Sequence, residues 1–286
     1  MGIFYQWNEI RPSVYHIGSD EQVYMDLFVG TERALLFDTG YGFGNLHEAI
    51  SKITQLPVTV VNSHGHPDHV GGNYQFDGPI YIHADDIELC KQFTSAARRR
   101  ESVEMARHTA DHASGQIMDI LPKDFDEEAY CCGGTGKLLP AWEGKVFSLG
   151  GITLRVVEVP GHTAGSIGLL YEEENIFFAG DAMSPFVWLF APESKNLSDY
   201  IATLKKVKAF GSDYLVVAHH PVMLKGKVLD DYLDAAEQLD YETGIPFSNP
   251  MFPGVEARIC PRAGYGPVDF GKPGFASVVI SRDHIG

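Results

Sequence analysis

The sequence predicts an α/β protein in which helices lie outside two β-sheets. Short apolar runs rich in β-branched and aromatic residues alternate with segments of helical character along most of the 286 residues. Histidine or aspartate follows several of these runs, as is usual for functional sites at one edge of a sheet. Hydrophobic residues make up 44% of the chain and charged residues 21%, values typical of a globular protein. A chain of this length buries a large core, in one big domain or two smaller ones.

The N-terminal part is predicted to open with antiparallel strands, because β-rich runs are separated by turn residues near 18–20 and 30–32. A helix is expected over about 45–55. A further apolar run reads as a buried strand that leads directly into a histidine-rich segment. The predicted strands are Val14–Ile17, Val23–Val29, Ala34–Phe37 and Val58–Val61.

The stretch from about 84 to 140 is polar and rich in helix formers, and we interpret it as a helical insertion that could act as a lid. Its basic run, Arg98-Arg99-Arg100, is followed by Glu101 and Glu104, which indicates a solvated helix face. A carboxylate-binding patch beside a functional site is the alternative interpretation of the same run. The glycine-rich end of the stretch does not match a phosphate-binding loop.

Strands resume after the insertion and alternate with two helices, at about 198–208 and 228–240, the first with Ser198 as its expected N-cap. The region 244–274 is expected to be irregular, because it carries six Pro and six Gly. We therefore predict a domain over 1–243 that contains the insertion, and a Gly/Pro-rich C-terminal extension over 244–286 packed on it. The predicted strands are Lys145–Leu149, Ile152–Val159, Ile167–Tyr171, Ile176–Ala179, Tyr214–Ala218 and Ala276–Ser281.

The most informative motif is the run His64-Gly65-His66-Pro67-Asp68-His69. Residues two apart in an extended segment point the same way, so His64 and His66 can share one metal ion. Pro67 disfavours helical geometry at His66 and suits a first helical turn, which places Asp68 and His69 at a helix start beside the first pair. Gly71 and Gly72 allow close backbone approach there. The motif predicts a metal site on a strand-to-helix turn.

Further candidate ligands follow later predicted strands: His162 after Val159-Pro160-Gly161, Asp181 after Ala179-Gly180, and His219 after Val217-Ala218. The isolated histidines are expected to be structural or solvent-facing. These are His16, His47, His83, His108, His112 and His284.

In their order, these motifs resemble the metallo-β-lactamase superfamily, and the local contexts of His64 and Asp181 are similar to its glyoxalase-II-like hydrolases. The resemblance spans about residues 14–222. It implies an αβ/βα four-layer sandwich of two mixed sheets flanked by helices. It also implies that one metal is bound by His64, His66 and His162, that a second is bound by Asp68, His69 and His219, and that Asp181 bridges them. His219 is preferred to His220 because Pro221 aligns with a family proline.

The resemblance implies a hydrolase in which a hydroxide at a two-metal site cleaves an ester, thioester, lactone or amide bond of a small metabolite. Asp68, close to that hydroxide, is the expected proton acceptor. A ligand set of histidine and carboxylate without cysteine suits zinc, and leaves iron or manganese open. A mononuclear-iron sulfur dioxygenase is the alternative function, and a phosphodiesterase or nuclease is a weaker one. Phe186–Phe190, soon after Asp181, either wall the substrate pocket or belong to the core.

The formal charge of −16 argues against a nucleic-acid partner, because phosphate binding needs concentrated Lys and Arg. We find no apolar run long enough to span a bilayer and no secretory signal, so a cytoplasmic location without membrane contact is expected. The four cysteines form no C-x-x-C pair and are expected to be reduced thiols. The expected partner is a small-molecule substrate, and homo-oligomerisation is left open.

Overall fold

The computed structural model describes residues 4–110 and 116–286, so His112 and a short part of the predicted insertion lie outside the described residues. Contacts between Cα atoms divide the chain into two compact units. The first unit comprises the residues up to Trp142, with Val146–Thr153 and His219–Pro221. The second comprises Glu143–Lys145, Leu154–Ala218 and Val222–Gly286. The predicted division at residue 243 stays a prediction.

The first unit combines short strands with helices of one to three turns. Its strands are β1 (Tyr5–Arg11), β2 (Val14–Ser19), β3 (Tyr24–Val29), β4 (Ala34–Phe37), β5 (Val58–Val61), β6 (Pro79–His83), β7 (Thr109–Ala110), β8 (Ile117–Met118), β9 (Lys137–Ala141) and β10 (Val146–Ser148). Its helices are α1 (Leu46–Ser51), α2 (Pro67–Val70), α3 (Ile87–Phe93), α4 (Ala96–Arg107) and α5 (Glu127–Cys132), with 3₁₀ turns at Gly71–Gln75 and Ala84–Asp86.

Seven strands of the described ranges form one mixed sheet in the order β1-β2-β3-β4-β5-β6-β9. The strands from β1 to β4 pair antiparallel, whereas β4, β5, β6 and β9 are parallel neighbours. All four residues of β4 are buried, as expected for a strand with a parallel neighbour that is covered on both faces. β1 was not predicted, because it lies at the sheet edge and only Tyr5 of its seven residues is buried.

Helix α1 covers part of this sheet and places Leu46, Ala49 and Ile50 in a core cluster with strand residues such as Leu27 and Leu36. Asn45 caps the helix, since its side-chain oxygen accepts a hydrogen bond of 2.9 Å from the Glu48 backbone N–H. The helix is shorter than the predicted range of 45–55.

The insertion is helical where α3, α4 and α5 form, but the interpretation of its arginine run as a solvated face is wrong for Arg99. That side chain is buried. Its guanidinium donates to the carbonyl oxygens of Thr94, Gly71 and Gly134 at 3.1, 2.8 and 2.9 Å. A planar group with five donors can satisfy several carbonyls at once, which a solvent-facing position would not require.

The second unit contains the later strands and two longer helices. Its strands are β11 (Thr153–Glu158), β12 (Ile167–Tyr171), β13 (Ile176–Phe178), β14 (Phe186–Leu189), β15 (Tyr214–Val216), β16 (Leu224–Lys225), β17 (Ile245–Phe247), β18 (Ala257–Pro261) and β19 (Ser277–Ser281). Its helices are α6 (Leu197–Lys208) and α7 (Val228–Glu237), with a 3₁₀ turn at Arg282–His284.

Strands β11, β12, β13, β15 and β16 lie side by side in that order, and β13 and β15 are parallel. A smaller sheet has the order β14-β19-β18-β17. The prediction of an irregular 244–274 region is therefore wrong in part, because β17 and β18 lie within it. Pairing with β19 supplies backbone hydrogen bonds that local sequence does not reveal. The two larger sheets are mixed and accompanied by helices, which confirms the α/β class.

Residues 186–190 contribute to core clusters on both faces of their strand, and their role as a wall of the substrate pocket stays a prediction. Val187 and Leu189 are buried in a core cluster that includes residues of α6 and α7. Phe186 and Trp188, on the opposite face of β14, are partly buried and pack near Phe247. The alternation follows from the two-residue period of a strand.

Helix α6 is capped by Asn196 and not by Ser198 as predicted. The Asn196 side-chain oxygen accepts from the Asp199 backbone N–H at 2.9 Å, and Ser198 donates its hydroxyl to the same oxygen at 2.8 Å. The helix therefore begins at Leu197, one residue before Ser198, and Ser198 lies within its first turn.

The four cysteines are free, as predicted, and three of them are buried. None of the helices in the described ranges combines the length and apolarity that a membrane span would need.

Candidate metal centre

The histidine-rich run has the predicted strand-to-helix geometry. β5 ends at Val61 and α2 begins at Pro67, which occupies the first helical position. His66 is the N-cap residue and is extended, with φ −73° and ψ 155°. A proline fixes the φ angle of a first turn at no cost in hydrogen bonds, and it also keeps the preceding residue extended. His64 and His66 therefore lie on the link between β5 and α2, and Asp68 lies on the first turn of the helix.

His64 and His66 are both buried, and their rings approach closely. Nε2 of His64 lies 3.0 Å from Nδ1 of His66. Two imidazole nitrogens bound to one tetrahedral zinc ion at about 2.0–2.1 Å would lie roughly 3.3 Å apart. The observed separation is thus close to that of two ligands of one metal ion.

A second group forms around Asp68. Its Oδ2 atom lies 3.3 Å from Nε2 of His219 and 3.5 Å from Nε2 of His69. Burial alone would raise the pKa of Asp68, but the adjacent His69 ring and the hydrogen bond from His219 outweigh it and hold this pKa well below its usual range. The carboxylate is therefore ionised at neutral pH, as a metal ligand must be.

The side chains that form these groups are oriented by Asp38 and Ser63, which the sequence reasoning missed. Asp38 Oδ2 accepts from Nδ1 of His69 at 2.8 Å and from the Ser63 hydroxyl at 2.7 Å. Because the Ser63 hydroxyl donates to Asp38, its oxygen is left to accept from Nδ1 of His64, 2.9 Å away. Nε2 of His64 and Nε2 of His69 are then the nitrogens with a lone pair for a metal. The available signal was an aspartate directly after strand β4.

The backbone of the motif is held by side chains that arrive from neighbouring segments. The His69 carbonyl accepts from Asn62 Nδ2 at 2.9 Å and from the Thr39 hydroxyl at 3.0 Å. Gly71 and Gly72 approach other backbone closely, as expected. A Cβ atom added to Gly71 would lie 2.1 Å from the Tyr41 carbonyl oxygen, and one added to Gly72 would lie 2.4 Å from that of Thr39.

In the second unit, His162 and Asp181 follow strands that end at the same sheet edge. β11 and β13 both run antiparallel to β12 and are therefore parallel to each other. Nε2 of His162 lies 3.8 Å from Oδ2 of Asp181. Nδ1 of His162 is 2.9 Å from the Trp188 carbonyl oxygen. A carbonyl only accepts, so Nδ1 carries the proton and Nε2 is directed toward Asp181 as a potential ligand.

The two adjacent histidines of the predicted ligand position have different contacts. His219 lies beside Asp68 through its Nε2 atom, and its ring centroid is 5.8 Å from that of His69. The backbone carbonyl oxygen of His220 is 3.0 Å from Nε2 of His16. His16 was expected to be structural or solvent-facing. Its link to the segment beside His219 spans 204 residues, so no local pattern could have signalled it.

The donor atoms of these groups fit divalent metal ions. Each residue offers one imidazole nitrogen or one carboxylate oxygen, and within the first unit those of Asp68, His69 and His219 lie within 4.8 Å of one another. Such a set suits zinc, iron or manganese. The predicted ligands include no cysteine, and burial raises the pKa of the nearby Cys90 to about 12, which keeps it a neutral thiol.

Solved structures share the fold. A metallo-beta-lactamase family protein, TTHA1429 from Thermus thermophilus, matches with a TM-score of 0.57 at 22% identity, over 80% of each chain. The sec-alkylsulfatase Pisa1 from Pseudomonas sp. matches with a TM-score of 0.62 at 15% identity, over 82% of this chain and 42% of its own. At these identities the likeness concerns the fold.

Sequence relatives extend over most of the chain. The acyl-coenzyme A thioesterase MBLAC2 of Homo sapiens is 28% identical over 221 residues, which cover 72% of each protein. Its counterpart from Gallus gallus is 27% identical over 218 residues, again 72% of each protein. The family model of the metallo-beta-lactamase superfamily matches residues 19–87 and 94–219, more than half of the chain. The protein therefore belongs to the metallo-beta-lactamase superfamily.

Proposed function

We propose that the protein is a metal-dependent hydrolase that cleaves a thioester of a small molecule at a centre of two divalent metal ions. The close approach of His64 Nε2 and His66 Nδ1, at 3.0 Å, is the observation that carries the proposal, because a pair of buried imidazole nitrogens at this distance is suited to a shared metal ion. The proposed ligands are His64, His66 and His162 for one metal, Asp68, His69 and His219 for the other, and Asp181 between them.

The residues of the site support hydrolysis. Bound metal ions would lower the pKa of a water molecule and polarise the substrate carbonyl. Asp68, which is ionised because its pKa is held low, would orient that water by accepting a hydrogen bond from it. Asp38 and Ser63 fix the tautomers of His69 and His64, so that the donor nitrogens are in place before substrate arrives.

The thioester is favoured over an ester, lactone or amide because the relatives that match most of the chain bear the name acyl-coenzyme A thioesterase. A small-molecule substrate also agrees with the charge of −16, which disfavours the phosphodiester backbone of a nucleic acid. Zinc is the metal we expect.

The test is a metal analysis joined to a substrate panel. The purified protein is expected to contain two metal ions per chain and to release free thiol from acyl-coenzyme A thioesters faster than it opens lactones, phosphodiesters or β-lactams. Chelation should abolish activity, and added zinc should restore it. His64→Ala should lose metal and activity, whereas His47→Ala, which removes an exposed histidine of the same unit, should change neither.

Two results would overturn the proposal. Thioester cleavage that survives complete metal removal would contradict the mechanism. A single iron ion per chain, with oxygen consumption on a persulfide substrate, would identify the protein as a sulfur dioxygenase instead.

A further inference from the structure

His16 and Asp26 form a buried pair on adjacent strands. They lie directly opposite each other in the antiparallel register of β2 and β3. Nδ1 of His16 is 2.7 Å from Oδ1 of Asp26, and the side chains are exposed by only 1% and 6%. The ring of His16 also stacks on that of Tyr24, with centroids 4.5 Å apart and planes inclined by 3°. The imidazole is thus fixed on one edge by a carboxylate and on one face by a ring.

The other edge of the His16 ring binds the backbone next to His219. Nε2 lies 3.0 Å from the carbonyl oxygen of His220. Since that oxygen can only accept, Nε2 carries a proton and donates it. The proton between Nδ1 and Asp26 holds the ring in this orientation, in the same way that a carboxylate orients a metal-bound histidine. Asp26, His16 and the 219–221 segment form one continuous hydrogen-bonded chain.

The side chain of His219 is more exposed than the side chains beside it. It is 38% exposed, whereas those of its neighbours Asp68 and His69 are 16% and 0% exposed. A ligand with little packing around it is directed mainly by its backbone, and the His220 carbonyl belongs to the residue immediately after His219. That carbonyl lies in the planar peptide that joins His220 to Pro221, and a residue before proline has a restricted backbone. Fixing the carbonyl therefore limits the backbone directions open to His219, which set where its imidazole points.

We infer that His16 and Asp26 are positioning residues for the metal bound by Asp68, His69 and His219, and that they act by holding the His220 carbonyl. The inference rests on the proposed metal-dependent function. Neither residue touches the metal or the substrate. Their contribution is to pre-order the most exposed ligand, which lowers the entropy lost when that metal binds.

The experiment measures the number of zinc ions per chain and the dissociation constant of each, by competition with a chromophoric chelator. The wild-type protein is expected to bind two ions. His16→Leu removes the donor. It should weaken binding of the ion at the Asp68, His69 and His219 site, called the second ion, about 10–100-fold, and leave binding of the other ion unchanged. His16→Gln offers an amide N–H near the same place and should restore binding to within a few-fold of wild type. If His16→Leu does not fold, Asp26→Asn is measured in its place, and it should weaken binding of the second ion several-fold.

Two controls separate positioning from packing. Tyr24→Leu removes the ring stacked on His16 but leaves the hydrogen bonds, and should keep both affinities. His108→Leu removes a histidine that likewise contacts a backbone carbonyl, that of Glu104 at 2.8 Å on an exposed helix end, and should also have no effect.

Unchanged second-site affinity in both His16→Leu and Asp26→Asn would overturn the inference and leave the proposed function intact. Equal losses in His16→Leu, His16→Gln and Tyr24→Leu would also overturn it, since they would indicate a packing role. A wild-type protein that binds no metal would instead overturn the proposed function, and this inference with it.

Discussion

Nδ1 of His69 lies 2.8 Å from Oδ2 of Asp38, a residue 31 positions earlier in the chain. The contact fixes the tautomer and the direction of the His69 ring, so that Nε2 faces Asp68. Asp38 itself has a φ angle of +68°, a conformation that few residues other than Gly, Asn and Asp adopt. The residue is therefore constrained both by its backbone and by its two partners, His69 and Ser63.

Replacing Asp38 should impair metal binding, although Asp38 is not itself one of the proposed metal ligands. Asp38→Asn tolerates the backbone conformation but offers a weaker acceptor, and we expect a loss of about 10–100-fold in metal affinity or activity. Asp38→Ala should lose more, because it also strains the backbone. Metal content and thioester cleavage are measured for both variants. Asp124→Asn, at an exposed aspartate, is the control. Wild-type affinity in Asp38→Asn would show that the contact does not orient His69.

The adjacent histidines should respond differently to substitution. His219→Ala removes the imidazole beside Asp68 and should lose one metal ion and most activity. His220→Ala leaves the backbone carbonyl that His16 binds and should retain both metal ions. Metal analysis of the two purified variants checks this, with melting temperatures to establish folding. The reverse result would assign the ligand to His220. Asp181→Ala should lose metal and activity together.

Burial raises the pKa of Glu21 from its usual 4.5 to about 7, which predicts a pH-dependent loss of stability. Between these values the folded protein holds a proton that the unfolded chain has released. The contribution of this carboxyl is therefore full below pH 4.5 and is lost as the pH rises through 7, by roughly 3 kcal/mol at most.

Glu21→Gln should remove that dependence, because an amide does not ionise. Denaturant unfolding from about pH 5 to pH 8 should show the variant gaining stability relative to wild type as the pH rises. The exposed Glu32→Gln should follow the wild-type curve. A constant difference between Glu21→Gln and wild type across this range would mean that Glu21 ionises normally.

Arg99 is expected to be important for stability and not for substrate binding. Its guanidinium satisfies three carbonyl oxygens and lies 4.6 Å from the ring centroid of Tyr130 and 5.0 Å from that of Tyr74. Arg99→Lys cannot reach all three oxygens with one ammonium group, and each unsatisfied buried carbonyl costs about 1–3 kcal/mol.

The free energy of unfolding measured with urea should be about 2 kcal/mol or more lower for Arg99→Lys than for wild type, because the costs of the unsatisfied carbonyls add. Arg98→Lys should change stability by less than about 1 kcal/mol, because Arg98 is partly exposed and paired with Glu101. Equal stability of the two variants would mean that the burial of Arg99 contributes nothing.

Much of the fold was predictable because its signals are local. Short apolar runs rich in β-branched and aromatic residues marked β2 to β5, and the proline after His66 marked the start of α2. The predictions were wrong where local preference was overridden. Asn196 competes with Ser198 for the same cap, and β17 and β18 form in a Gly/Pro-rich region because β19 provides a partner for β18.

By itself, the sequence determined the α/β class, the superfamily motifs and the identity of the candidate ligands, since these depend on residue types and on short spacings. Only the tertiary structure decided which side chains orient those ligands. Asp38 reaches His69, His16 reaches the His220 carbonyl, and Arg99 is buried against Gly71. These contacts join residues 28 to 204 positions apart. Hydrogen bonds of this kind depend on how strands and loops come together in space, which no pattern of neighbouring residues encodes.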